Sequence, residues 1–276
     1  MKTIKYAINK ISRAFLTILV ISLIFSSCEE YLNNVEQDED APKLPSISTF
    51  FIDFNDFPDT KSANTSDSSN YIYASANVLF WNVFLSLNMI VPVASFLEAF
   101  NHYGEYDPDE NAWVWTYSFN AGGVHEAELQ GSFKSGKVIW EMYISKANNY
   151  TDFLWYSGEH NLLATEGSWT INKDPQTNPQ EYLEIEWQIN PSDSTMNMKF
   201  TNIIPGNAEN GSYISSGTNN DPVYDLFYDI YSISSDTYTN IQWNKINRNG
   251  RVKNTNYFGD NLWHCWDTTL MNIDCN

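Results

Sequence analysis

Positive charge is scarce in this chain. Its 276 residues carry 15 Lys and Arg against 34 Asp and Glu, and four of the basic side chains (Lys2, Lys5, Lys10, Arg13) lie in the first 13 residues. Without that leader, 11 basic residues face 34 acidic ones, a net charge of −23. Such a protein repels a phosphate backbone, which counts against nucleic acid as a partner. Histidine is scarcer still: His102, His125, His160 and His264 are the only ones, and none has a second at metal-binding spacing. "VHEAEL" lacks the partner histidine of a zinc-protease helix, and no G-x-S-x-G elbow, P-loop or dinucleotide fingerprint occurs. No catalytic residue, metal site or cofactor is therefore expected, and the chain reads as a non-enzyme. Glu141, Glu184 and Glu186 are the carboxylates that a glycosidase pair would need, but the last two alternate onto a solvated strand face. "DPDEN" (107–111) opens like a calcium loop, yet Ala112 and Ser118 stand where Gly and Glu are needed, so it reads as a turn.

Cysteine is the third scarcity, with Cys28, Cys265 and Cys275 alone. "MKTIKYAINKISR" followed by the apolar "AFLTILVISLIF" has the layout of a secretory signal peptide, and the apolar run is shorter than the roughly 20 residues of a spanning helix. Ser26 and Ser27 then precede Cys28, and "LIFSSC" resembles the lipobox of bacterial lipoproteins. That resemblance implies cleavage after residue 27, a thioether to diacylglycerol at Cys28 and acylation of its freed amine. Two or more acyl chains, at about 0.8 kcal/mol per buried methylene, anchor a protein stably to a membrane. Glu29, Glu30 and "VEQDEDAP" make residues 28–45 an acidic, solvated tether. Acids just after the lipidated cysteine also resemble a surface-export signal of Gram-negative lipoproteins, implying an outer-membrane location facing the cell exterior, with the periplasmic face as the alternative. In an exported chain Cys265 and Cys275 can form a disulfide; the alternative is two buried thiols.

Residues 46–276 are long enough for one β-rich globular domain. "SISTFFIDFNDF" (46–57) reads as a strand closed by Pro58. Residues 71–103 are apolar nearly all round a helix, the pattern of a buried helix, and Pro92 should kink it. By length this segment also fits a membrane span, although Asn82, Asn88, Pro92 and Glu98 interrupt it. From Trp113 the period becomes two. "WVWTYSF" sets Trp113, Trp115, Tyr117 and Phe119 against Val114, Thr116 and Ser118, and "YLEIEWQI" sets Leu183, Ile185, Trp187 and Ile189 against Glu184, Glu186 and Gln188. With turn signals such as "NAGG", "KSGK" and "NRNG" between them, these segments predict about eight to ten antiparallel strands. The expected architecture is an up-and-down barrel or half-barrel with the long apolar helix packed on its concave face; the same periodicity fits a two-layer sandwich. The recurring "GSF", "GSW" and "GSY" read as glycines that let the sheet bend.

In outline this architecture resembles lipid-carrying periplasmic and lipoprotein half-barrels. "VPVASFLEAFNHYG", "VIWEMYIS" and "WHCWD" resemble segments of bacterial surface lipoproteins to which no activity is assigned. Three functions compete. A hydrophobic or amphipathic ligand between helix and sheet would use Phe84, Met89, Trp187, Met196 and Met198 as pocket residues, the methionines adapting to ligand shape. A glycan-binding accessory lipoprotein would use Trp155, Trp263 and Trp266 as an aromatic platform. A structural or adhesion protein would present an apolar surface patch.

Overall fold

The structure, a computed structural model, describes residues 40–58, 67–173, 175–176, 179–193 and 195–275. Cys28, the signal segment 1–27 and the tether up to residue 39 lie outside these. The compact unit begins at Ala41, so residues 41–45, read from sequence as tether, belong to it, and Pro42 is buried.

Among the described residues, fourteen strands follow one another in strict chain order in one antiparallel sheet. The first seven are β1 (Glu105–Asp107), β2 (Ala112–Asn120), β3 (Val124–Lys134), β4 (Lys137–Lys146), β5 (Tyr150–Asn161), β6 (Glu166–Asn172) and β7 (Glu181–Asn190). The others are β8 (Thr195–Asn202), β9 (Tyr213–Thr218), β10 (Leu226–Ser232), β11 (Thr237–Trp243), β12 (Gly250–Lys253), β13 (His264–Trp266) and β14 (Asn272–Ile273). β1 pairs only with β2 and β14 only with β13, so the sheet is an open meander and not a closed barrel. The strand number exceeds the eight to ten expected because β1, β12, β13 and β14 have two to four residues each, too few to show an alternating run. Hairpins are tight where the turn chemistry allows. Ser135 and Gly136 both have positive φ (54° and 77°), the arrangement that matches strand twist in a two-residue loop.

Alternation puts the tryptophans of β2, β4, β6 and β7 and most large apolar residues on one face. One row runs Trp140, Gly158, Trp169, Ile185, Phe200, Ile214, Ile230 across β4 to β10. Within it and beside it, indoles lie over glycines on the next strand. A Cβ on Gly131 would meet Trp140 at 2.6 Å, on Gly158 Trp169 at 2.2 Å, on Gly167 Trp187 at 2.6 Å and on Gly250 Trp266 at 2.2 Å. The glycines of "GSF" and "GSW" thus make room for tryptophans, whereas Gly211 of "GSY" is a positive-φ turn residue.

Residues 46–57 form no strand. Two 3-10 turns, Ile47–Thr49 and Phe54–Asp56, punctuate an extended strap that crosses the aromatic face. Side chains hold it there: Trp169 Nε1 donates to Thr49 Oγ1 (3.3 Å), Trp243 Nε1 to the Asp56 carbonyl (3.0 Å) and Tyr71 Oη to the Pro58 carbonyl (2.6 Å). Phe50 packs on Phe96, Tyr156 and Trp169, and Phe57 on Tyr71 and Trp243. A strap fixed by its side chains has the apolar density of a strand without the ladder, which is why composition alone misplaces it.

The helical segment is two helices, α1 (Ser69–Asn88) and α2 (Ile90–Ala99), bent by 65° at Met89. Pro92 stands in the first turn of α2, where its missing N–H is tolerated and its ring keeps α1 from running on straight. Neither helix alone is long and apolar enough to cross a membrane. Only one stripe of α1 is buried: Tyr71, Ala74, Val78, Trp81 and Leu85. Leu79, Phe80, Val83 and Leu87 are exposed, contrary to the expectation that an all-apolar helix is buried on every side. A third helix, α3 (Thr255–Phe258), stacks Tyr257 on Tyr73 of α1.

Candidate functional site

The five pocket residues named from sequence fall in four places. Phe84 lines a cleft of 420 Å³ between α1 and the ends of β8 and β10. Met89 is buried at the α1–α2 bend and lines a separate groove of 440 Å³ beside the strap. Trp187 and Met198 are cross-strand partners on β7 and β8 that border a groove of 570 Å³ rich in Glu and Lys, while Met196, opposite Ile189, packs half-buried at the core margin. Strand register separates them: Met196 and Met198 line neither the Phe84 cleft nor the Met89 groove.

The platform residues are also dispersed. Trp155 packs with Tyr150 and Phe153, Trp263 is covered by Arg251 and Lys253, and Trp266 is fully buried with Nε1 donating to the Arg248 carbonyl (2.8 Å). Cys265 and Cys275 are disulfide-bonded, Cα atoms 5.3 Å apart, closing β13 and β14 beside the start of α1, where Asn70 Nδ2 donates to the Cys265 carbonyl.

The Phe84 cleft combines an aromatic helix wall with a polar, acid-bearing lining. Phe80, Trp81 and Phe84 come from successive turns of α1, and Ile204 and Ile230 face them from the sheet side. At one end stands Glu209, which accepts from Ser212 Oγ, Ser232 Oγ (3.2 Å) and Ser234 Oγ. Those hydroxyls, Ser212 first, hold its carboxyl below the usual range, so it is ionised at neutral pH. The cleft is therefore part apolar, through Phe80, Trp81, Phe84, Ile204 and Ile230, and part polar, with an ionised carboxylate in its lining. Sequence reading found Phe84 but missed Glu209, Ile204 and Ile230. Residues 202–212 carry no alternation, and only the register of β8 to β10 brings them to α1.

A second unusual cluster lies within the sheet. His160 Nδ1 donates to the Asn161 carbonyl (2.6 Å), which leaves Nε2 a bare acceptor. It is buried without a protein partner, as are Trp140 Nε1 and Trp187 Nε1, whose rings flank it at 6.1 and 6.3 Å. Burial lowers the His160 pKa, the Asn161 contact partly offsetting this. Of the other histidines, His102 bonds Glu98 and His264 bonds Asp260, while His125 bonds the Gly123 carbonyl. Asp107 accepts from the Asp109 and Glu110 amides, so "DPDEN" folds as a turn. Among the described residues no group of three His, Cys, Asp or Glu is placed to hold a metal ion.

No family model, curated protein or solved structure matches the chain.

Proposed function

We propose that this chain is a lipid-anchored surface lipoprotein, without catalytic activity, that holds a neutral or cationic amphiphile in the cleft between α1 and β8–β10. The observation that carries the reading is the convergence of Phe80, Trp81, Phe84, Ile204 and Ile230 beside the serine-held carboxylate of Glu209. An apolar chain fits the slot, and a head group that donates hydrogen bonds fits its end; a fatty-acid carboxylate would be repelled. In this reading the strap and both helices together cover the aromatic face of the sheet, and the cleft is the gap they leave. Anchoring rests on the lipobox-like "LIFSSC" and export on the acids after Cys28.

The test is the intact mass of the full chain, purified natively, before and after organic extraction. A co-purifying amphiphile that disappears on extraction, together with acyl mass on Cys28, supports the proposal. A bare protein that also fails to bind a fluorescent long-chain amine overturns the ligand reading.

A glycan-binding reading has one observation in its favour. Tyr213, Tyr231 and Tyr238 line up across β9, β10 and β11 with ring centroids 5.7 and 4.5 Å apart, Tyr238 exposed and Lys199 over Tyr213. Loss of oligosaccharide binding on Tyr238→Ala would establish that reading, and calorimetry without heat for a panel of glycans would remove it.

A further inference from the structure

The outward stripe of α1 continues through the bend onto α2 as Leu79, Phe80, Val83, Leu87, Ile90 and Leu97, all exposed; Leu79, Phe80 and Leu87 show 59%, 65% and 69% of their surface to solvent. Residues 69–97 contain no charged side chain, in a chain that otherwise carries 34 acids. Glu98, the first, is bonded to His102 at 3.1 Å. An uncharged apolar surface of this extent marks a contact site.

The polar side chains along the two borders of this stripe each make a hydrogen bond inside their own helix. Ser75 Oγ donates to the Ile72 carbonyl (3.0 Å), Asn77 Nδ2 to Tyr73 (2.9 Å) and Asn88 Nδ2 to Phe84 (2.7 Å), and Ser86 Oγ donates to Asn82 Oδ1 (3.0 Å). Polar groups bonded in part inside their own helix lower the cost of moving the stripe out of water. The opposite stripe is locked into the core by Tyr71, Trp81 and Leu85, and the pair is bent by 65°, so these helices are built to lie on a surface and not to span a membrane. Both apolar hollows open on this side: Phe80 belongs to the ligand cleft, and Ile90 and Leu97 line the groove beside the strap.

We infer that the outward face of α1 and α2 seats on a lipid bilayer. This rests on the proposed lipid anchor. About a dozen residues separate Cys28 from Ala41, where the compact unit begins; extended, they reach roughly 45 Å, about the diameter of a domain this size. The anchor thus keeps the face within reach of the membrane, and an amphiphile can enter the cleft from the bilayer without crossing water. Because the face is uncharged and the chain strongly acidic, contact is through apolar burial: it is insensitive to salt and stronger on zwitterionic than on anionic lipid.

The test uses the mature chain carrying Cys28→Ser, which has no acyl chains, floated in a density gradient with phosphatidylcholine vesicles. Flotation unchanged by high salt is expected. The triple variant Leu79→Gln, Val83→Gln, Leu87→Gln, at exposed positions outside the cleft, should keep its thermal midpoint and weaken vesicle binding by about tenfold or more. Equal flotation of both proteins, or none, overturns the inference. So does light scattering that shows a dimer which the triple variant turns into a monomer, since the face then belongs to a second copy. A fluorescent long-chain amine separates the two readings. Probe binding without flotation overturns the membrane face and leaves the ligand reading standing; flotation without probe binding does the reverse.

Discussion

Gly158 lies beneath the indole of Trp169, its cross-strand partner, so closely that a Cβ there would stand 2.2 Å from Cε3 and 2.5 Å from the Ser168 carbonyl. Trp169 is fully buried and carries Phe50 and Phe96 on its faces and edges, so the glycine indirectly seats both the strap and α2. Gly158→Ala should destabilise the fold by about 1–3 kcal/mol, as overpacking of a close core contact does. In Trp169→Leu, which loses the obstructing ring, the same substitution should cost less. A coupling of about 0.5 kcal/mol or more in urea denaturation would establish the pairing, and additivity would refute it.

Phe84 and Ile230 both line the proposed cleft. Phe84→Asp should lower the affinity for a fluorescent long-chain amine by about tenfold or more, since it places a charge where an apolar chain would lie. Glu209→Gln should weaken the amine probe but spare a long-chain alcohol. Fluorescence titration of the two probes checks both, and equal loss of both probes would show that Glu209 does not meet the head group.

His160 makes stability depend on pH. Its folded pKa lies below the ordinary 6.5, so between these values the unfolded chain binds a proton that the folded chain does not. Stability is full above the unfolded value and falls as pH drops from 7.5 through 6.5 towards the folded value, levelling off below it. His125, also lowered by burial, adds in the same direction. His160→Phe keeps an aromatic ring between Trp140 and Trp187 and should shrink the difference in urea midpoint between pH 7.5 and 5.5. An unchanged difference would place the titration elsewhere.

The Cys265–Cys275 bond closes a loop of sequence separation 10. Its loss in Cys265→Ser, Cys275→Ser should cost about 2–3 kcal/mol in the chain-entropy model. Because Asn70 and Asn272 join this region to the start of α1, hydrogen exchange should rise first at residues 68–73 and 264–273. Exchange spread evenly over the sheet would show that the bond serves the whole fold and not this corner.

The alternation of β2 and β7 was legible because a strand wet on one face writes its burial into every second residue. The same rule misled at 46–57, where apolar side chains serve a strap crossing the face of other strands. The helical segment was legible in part. At about 100° per residue its polar side chains form two narrow seams, Ser75, Asn82 and Ser86 on one flank and Asn77 and Asn88 on the other. They separate two apolar stripes. Only the contacts of Tyr71, Trp81 and Leu85 show which stripe faces the core and which faces outward.

The sequence by itself determined the mainly β, antiparallel character of the domain, because period-two patterning and turn residues act locally. Tertiary structure alone decided that the sheet stays open, that indoles settle over glycines on neighbouring strands, and that Phe84 shares a cleft with Glu209 and not with Met196. Those outcomes depend on register and on which surfaces are left to cover, and both emerge only once distant segments are packed together.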